Sequence, residues 1–169
     1  LYTVKHLGNV VGGGIVRYVN VSIDYLKEMA IAQMKAGESV WFGADVGHQF
    51  DGDSGRMEVG IFDFESIYGT TCYLDKAGRL DYGMSAMNHA MVFTGVDLND
   101  SEKPTKWRVE NSWGDERGDK GYYSISDKWF DEYVFEVAIN KQHLSKEVLA
   151  ILEQTPVALE PWDPMGSLA

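Results

Sequence analysis

The chain has 169 residues, with 26 acidic against 15 basic side chains and a formal net charge of −11. That length fits one domain or a large part of one, and the acidic balance excludes a Lys/Arg surface built to bind a phosphate backbone. Hydrophobic residues at 44% suit a globular core, and 12% aromatics with five Trp suit a dense sheet core or a large interface. One cysteine excludes an internal disulfide and fits a reducing compartment. No apolar run reaches membrane-spanning length. An acidic field attracts cationic ligands, peptides with free amino termini among them, although solubility is the plainer reading of most of these charges.

Leu1 to Val10 reads as a strand or extended segment. Val11-Gly12-Gly13-Gly14-Ile15 lacks the spacing and the Gly-Lys-Ser/Thr ending of a nucleotide loop and reads as a turn. Ser22 is placed to cap a helix over Ile23–Ala36, where Ile23, Leu26, Ala30 and Met34 fall at helical spacing and Gly37 stops it. Met29 and Met34 read as core filler. Ser39 to Ala44 is a short apolar strand. Asp45 to Gly83 is the least regular stretch, suited to pocket walls or subunit contacts. Within it Asp51-Gly52-Asp53-Ser54-Gly55 suggests a calcium loop, but the twelfth position is Phe62 and not Glu, so a turn is expected. His48 reads as a plain surface residue. No metal or cofactor is implied by the residues.

Further along, His89 opens the β-prone run Ala90-Met91-Val92-Phe93-Thr94-Gly95-Val96. The turn-rich segment Asp97–Lys106 separates it from Trp107-Arg108-Val109-Glu110-Asn111, which alternates apolar and polar as a half-buried strand does. A hairpin there brings His89 and Asn111 together. An imidazole on a stiff strand, held by a neutral asparagine carbonyl, is the base that a thiol nucleophile needs. Trp113 is expected to cover that hydrogen bond. Gly121 to Ser126 is a strand, Ser126 caps a helix over Asp127–Tyr133, Val134 to Ile139 is a strand, and Ser145 caps Lys146–Gln154, with Val148, Leu149, Ile151 and Leu152 on its apolar face. Three of the four prolines fall at Pro156, Pro161 and Pro164, so the ending is expected to be an extended arm docked through Trp162, Met165 and Leu168.

At these residues the chain resembles the papain superfamily of cysteine peptidases. Asn88-His89-Ala90 is similar to the family's histidine motif, and Asn111-Ser112-Trp113-Gly114 with Gly118 and Gly121-Tyr122 to its asparagine motif. Val40-Trp41-Phe42-Gly43-Ala44-Asp45-Val46-Gly47, Lys106-Trp107-Arg108-Val109-Glu110 and the ending Pro161-Trp162-Asp163-Pro164-Met165-Gly166-Ser167-Leu168-Ala169 narrow the resemblance to the bleomycin hydrolase branch, with its PepC-type aminopeptidases. The resemblance implies an α+β fold: the β-rich half of a papain-like domain over residues 1–155, an antiparallel, barrel-like sheet with a few helices, and an extended arm over 156–169. It implies a broad-specificity thiol aminopeptidase, cytoplasmic and homohexameric, with no nucleic-acid or membrane partner. His89 is then the general acid/base and Asn111 its orienting group. Asn88, Ala90, Trp113 and Ala169 are substrate-binding, with the Ala169 carboxylate near the free amine of the peptide.

The family's nucleophile lies in a Cys-Gly-Ser-Cys-Trp-like stretch shortly after an oxyanion-hole glutamine, and neither stretch occurs here. The opening Leu1-Tyr2-Thr3-Val4 lacks a methionine. The expectation is therefore the C-terminal part of a longer protein, inactive alone, whose upstream half supplies the cysteine. Two alternatives stand beside it. One is a non-catalytic interaction or assembly module on the same fold. The other is a hydrolase using Cys72 with His89, disfavoured because Cys72 sits among β-prone residues and reads as a small buried hydrophobe.

Overall fold

The computed structural model describes residues 1–8, 10–71 and 73–168. The chain opens with β1 (Tyr2–Val4) and passes a turn into α1 (Ile23–Lys35). It continues through β2 (Val40–Ala44), the small hairpin β3 (Phe50–Asp51) and β4 (Arg56–Met57), and the short helices α2 (Phe64–Tyr68) and α3 (Lys76–Asp81). A long hairpin of β5 (His89–Leu98) and β6 (Pro104–Glu110) leads to β7 (Tyr122–Ser126), α4 (Asp127–Tyr133) and β8 (Val134–Ala138). The ending comprises a 3-10 turn at Lys141–His143, α5 (Lys146–Leu152), β9 (Val157–Leu159) and a 3-10 helix at Pro164–Leu168.

Seven strands form one curled sheet in the order β3-β4-β7-β6-β5-β2-β8. Its pairings are antiparallel except β4 on β7, and a separate parallel pair joins β1 to β9. Together with five α-helices this is the α+β, half-barrel architecture expected from the sequence. Alternation along the strands puts Val40, Phe42, Met91, Phe93, Trp107, Val109, Tyr123 and Ile125 on the buried face, where Trp129 and Phe130 of α4 close over them. Phe42 stacks on Phe93 at 3.7 Å between ring centres, and Trp107 meets Phe130 at 4.6 Å. Such ring pairs add to the gain from burying their area.

The caps follow the sequence. Ser22, Ser126 and Ser145 each accept a hydrogen bond from the backbone N–H three residues on. Helix α1 packs Ile23, Leu26, Ala30 and Met34 on the core as their spacing requires. It also buries two polar residues. The Lys27 ammonium lies 2.8 Å from Asp127 and 2.6 Å from Asp131, and the Gln33 amide joins Ser39 O to Asn140 N. These contacts tie α1 to α4 and to the exit from β8.

Some expectations change. Only Tyr2–Val4 of the opening segment is strand, because a turn at Lys5 and His6, with left-handed backbone at His6 and Gly8, breaks it. The stretch from Asp45 to Gly83 carries the β3–β4 hairpin and two capped helices. The arm is not extended throughout: β9 pairs with β1, and Pro164–Leu168 wind into a 3-10 helix. Met165 and Leu168 are partly covered, whereas Trp162 is 80% exposed and is not anchored among the described residues. Cys72, expected to be a buried hydrophobe, lies outside the described residues.

Helix α3 caps the end of α4 with two cations. The Lys76 ammonium donates to Asp131 O at 2.8 Å and Val134 O at 2.5 Å, and Arg79 donates to the carbonyl and carboxylate of Glu132, both at 2.8 Å. Burial lowers the Lys76 pKa from 10.5 to about 8, against the pull of Glu132 and Asp131. The folded-state pKa lies below the unfolded one, so the folded chain binds fewer protons between these values and its stability rises with pH across that window. The unfolding free energy of the parent minus that of Lys76→Met, from urea titrations, should climb between about pH 8 and about pH 10, with a ceiling of ~1.4 kcal/mol per pH unit. A difference independent of pH contradicts this account of Lys76.

Candidate active site

The register of the central strands creates the site. Ala44 pairs with His89, Phe42 with Met91 and Phe93 with Val109. His89 therefore shares the inward face of Met91 and Phe93, at the open end of β5. Beyond Phe93 the pairing slips by one residue at Thr94, so that Gly95 faces Arg108 and Val96 faces Trp107. This bulge reverses which alternate residues of β5 point inward. It lets Val96 and Trp107 on one side, and Met91 and Val109 on the other, all reach the core.

Asn111 follows β6 directly, and its backbone N–H donates to Gly121 O at 3.2 Å. Its Oδ1 lies 2.8 Å from Nε2 of His89 and also accepts the Ser112 N–H at 2.8 Å. Two donors converge on that oxygen, which fixes the orientation of the amide. An oxygen there requires the hydrogen of neutral His89 to sit on Nε2. The Nδ1 lone pair is then available for proton transfer. The Asn111 amide nitrogen is buried without a hydrogen-bond partner among the described residues.

Trp113 stacks on the His89 ring at 4.7 Å and 28° and is braced by Phe50 at 6.0 Å and by the edge-on Tyr123 at 6.3 Å. It covers one face of the imidazole while staying 44% exposed itself. The loop carrying Asn111 and Trp113 depends on left-handed glycines. A Cβ on Gly121, which has φ 84°, would lie 2.8 Å from Gly114 O. Only glycine lets the loop fold back so tightly.

The other expected site residues distribute as follows. The Asn88 side chain donates to Asp45 Oδ1 at 2.7 Å and accepts from Val46 N at 3.0 Å. Ala90, alternating with His89, faces the opposite side of the sheet, in a groove lined by Trp41, Leu80, Phe135, Met165 and Leu168. The arm reaches that groove, and Ser167 O accepts the Met87 N–H at 3.0 Å, two residues before His89. Ala169 lies outside the described residues. The His48 side chain is 40% exposed in its loop, as its position suggested, and it also makes contacts: its ring lies 5.7 Å from Tyr133, and its Nε2 lies 3.0 Å from Met84 O. Among the described residues no group of His, Cys, Asp and Glu converges as metal ligands, and no helix is long and apolar enough to cross a membrane.

The Peptidase C1-like family matches residues 1–166, and the chain belongs to that family. It is 55% identical to an Aminopeptidase C of Streptococcus thermophilus over 168 residues, and 51% identical to a Bleomycin hydrolase of Mus musculus over 172. The alignments cover 99% and 100% of this chain, and it spans only 38% of the length of each relative. The crystal structure of PepW from Lactobacillus rhamnosis HN001 superposes with a TM-score of 0.95 at 53% identity, covering 99% of this chain and 38% of that one.

The tautomer is directly measurable. In 15N spectra near neutral pH, His89 should carry its hydrogen on Nε2 and leave Nδ1 bare, and Asn111→Ala should remove that bias. A hydrogen on Nδ1 of neutral His89 contradicts the geometry.

Proposed function

We propose that this chain carries the imidazole and carboxamide of a cysteine aminopeptidase, whose thiol comes from a part of the protein outside these residues. The observation that carries the reading is the 2.8 Å contact between His89 Nε2 and Asn111 Oδ1, which leaves Nδ1 for the sulfur. The relatives' names, Aminopeptidase C and Bleomycin hydrolase, support the same class. The substrates are peptides with a free amino terminus, and the intact protein is a cytoplasmic homo-oligomer, a hexamer by family resemblance.

Nδ1 of His89 takes the thiol proton, giving a thiolate–imidazolium pair. The thiolate attacks the scissile carbonyl, and the imidazolium gives its proton to the departing amine as the acyl-enzyme forms. Nδ1 then removes a proton from water, which attacks the acyl carbon. The proton returns to sulfur as the carboxylic acid leaves. Asn111 holds the ring plane through both transfers, and Trp113 limits water at their hydrogen bond, which strengthens it. Asn88 and Ala90, the residues on either side of His89, are the proposed contacts for the substrate next to the base. The arm reaches the groove beside Ala90 through Met165 and Leu168, and Ala169 is proposed as its contact with the substrate's amino terminus.

In the full-length protein His89→Ala should lower kcat by about 10³-fold with near-normal folding by circular dichroism, and this 169-residue chain alone should release no amino acid from a peptide. Turnover by the pure chain, or an effect of His89→Ala below about tenfold, overturns the reading. Removing Leu168 and Ala169 should let the full-length enzyme cut beyond the first residue. Unchanged product lengths would deny the arm its limiting role.

A further inference from the structure

The proposed mechanism leaves one deeply buried charge unused. Asp45 is 2% exposed, directly after β2, next to the residue that pairs with His89. Its Oδ1 accepts from the Asn88 amide at 2.7 Å and from Gly47 N at 3.0 Å. Its Oδ2 accepts from the Ser85 hydroxyl at 2.6 Å, and Ser85 is itself 4% exposed. Among the described residues no lysine or arginine pairs with it. The basic group within ion-pair distance is His48, whose Nε2 lies 3.4 Å from Oδ2.

A carboxylate in such a place is a poor choice for stability alone, because apolar residues of the same volume usually do as well or better. What it provides is direction. Ser85 and Asn88 both belong to the chain that runs up to His89, and Asp45 holds them to the exit of β2. The Asn88 carboxamide closes the clasp from its other side by accepting from Val46 N, while its backbone N–H donates to Ala44 O at 3.1 Å. Met84 O lies 3.0 Å from the His48 ring, and Met87 N donates to Ser167 O. The run-up to His89 is therefore fixed at residues 84, 85, 87 and 88, and Asp45 is the shared anchor of two of those points. Asn111 restrains the far nitrogen of the ring but not the position of the His89 backbone along the sheet, and the placement of a general base to well under an ångström is worth orders of magnitude in rate.

We propose that Asp45, acting through Ser85 and Asn88, is the positioning residue that sets the His89 imidazole against the attacking sulfur. It touches neither substrate nor the reacting atoms. The proposal rests on His89 being the general base, and its test separates the two. Full-length Asp45→Ala, Asp45→Asn, Ser85→Ala and His89→Ala would be compared with the parent. An irreversible thiol reagent counts competent sites, so that kcat refers to folded enzyme. Asp45→Ala should lose about tenfold or more in kcat per titrated site with KM within about twofold, because transition-state geometry is lost and ground-state binding is kept. Asp45→Asn should recover most of that loss, since its amide oxygen still accepts from Asn88 and Gly47 and the Ser85 hydroxyl can turn to accept from its nitrogen. Ser85→Ala should lose about threefold in kcat at unchanged KM. A role in stability alone would lower the melting temperature and the number of titrated sites while leaving kcat per site at the parent value, and that result overturns the proposal. If Asp45→Ala fails to fold, a parental kcat per site in Ser85→Ala overturns it equally. Full activity in His89→Ala removes the base assignment itself, whereas an inactive His89→Ala beside a fully active Asp45→Ala removes only the role of Asp45.

Discussion

The pairing of β5 with its two neighbours is the constraint on which the rest of the structure depends. A strand shows its side chains to alternate faces, so a slip of one residue would turn His89 away from Asn111 and expose Met91 and Phe93 together with it. The aromatic core prevents that slip. Phe42, Phe93, Trp107 and Phe130 fit one another only in the observed register, and their burial holds the polar pair at the sheet's end in place. The packing energy of the fold and the geometry of the site are thus one quantity, seen at two ends of the same strand.

Position alone does not make an imidazole a base. The Asn111 oxygen selects the tautomer, Trp113 shields one ring face, and the Asp45 clasp holds the backbone on the approach side. These restraints come from the end of β6, the loop beyond it and the exit of β2, so no single element positions the ring. The arrangement leaves the other ring nitrogen, Nδ1, with no hydrogen bond among the described residues. It also accounts for surface features that a self-sufficient domain would not favour: Trp41, Ile67, Tyr82 and Met84 are all more than half exposed. The relatives that the chain matches run to more than twice its length.

Much of this was legible in the residues. The helix caps at Ser22, Ser126 and Ser145 and the strand at Val40 depend on local chemistry, and local chemistry is what a sequence displays. The His89–Asn111 contact was legible because a turn-rich segment between two β-prone runs specifies a hairpin. The bulge at Thr94 was not, since it resolves a competition between Val96 and Met91 for the same core, a matter of tertiary packing. For the same reason the contacts of His48 did not show in its loop position: its partners, Met84 and Tyr133, are distant in sequence. Trp162 misled in the opposite sense, as an apolar side chain signals a need for cover without saying what provides it. The buried Lys27 and Gln33 were hidden by a helical pattern that scores polar residues as outward-facing.

The central claim is that Nδ1 of His89 faces a sulfur from elsewhere in the polypeptide. A short bis-haloketone, which alkylates a thiol and then the nearest imidazole nitrogen, reports that contact directly when the full-length protein is treated with it and mapped by mass spectrometry. The account predicts a single bridge between His89 Nδ1 and a cysteine other than Cys72. A bridge to His6, His48 or His143, to Nε2 of His89, or through Cys72 would contradict it.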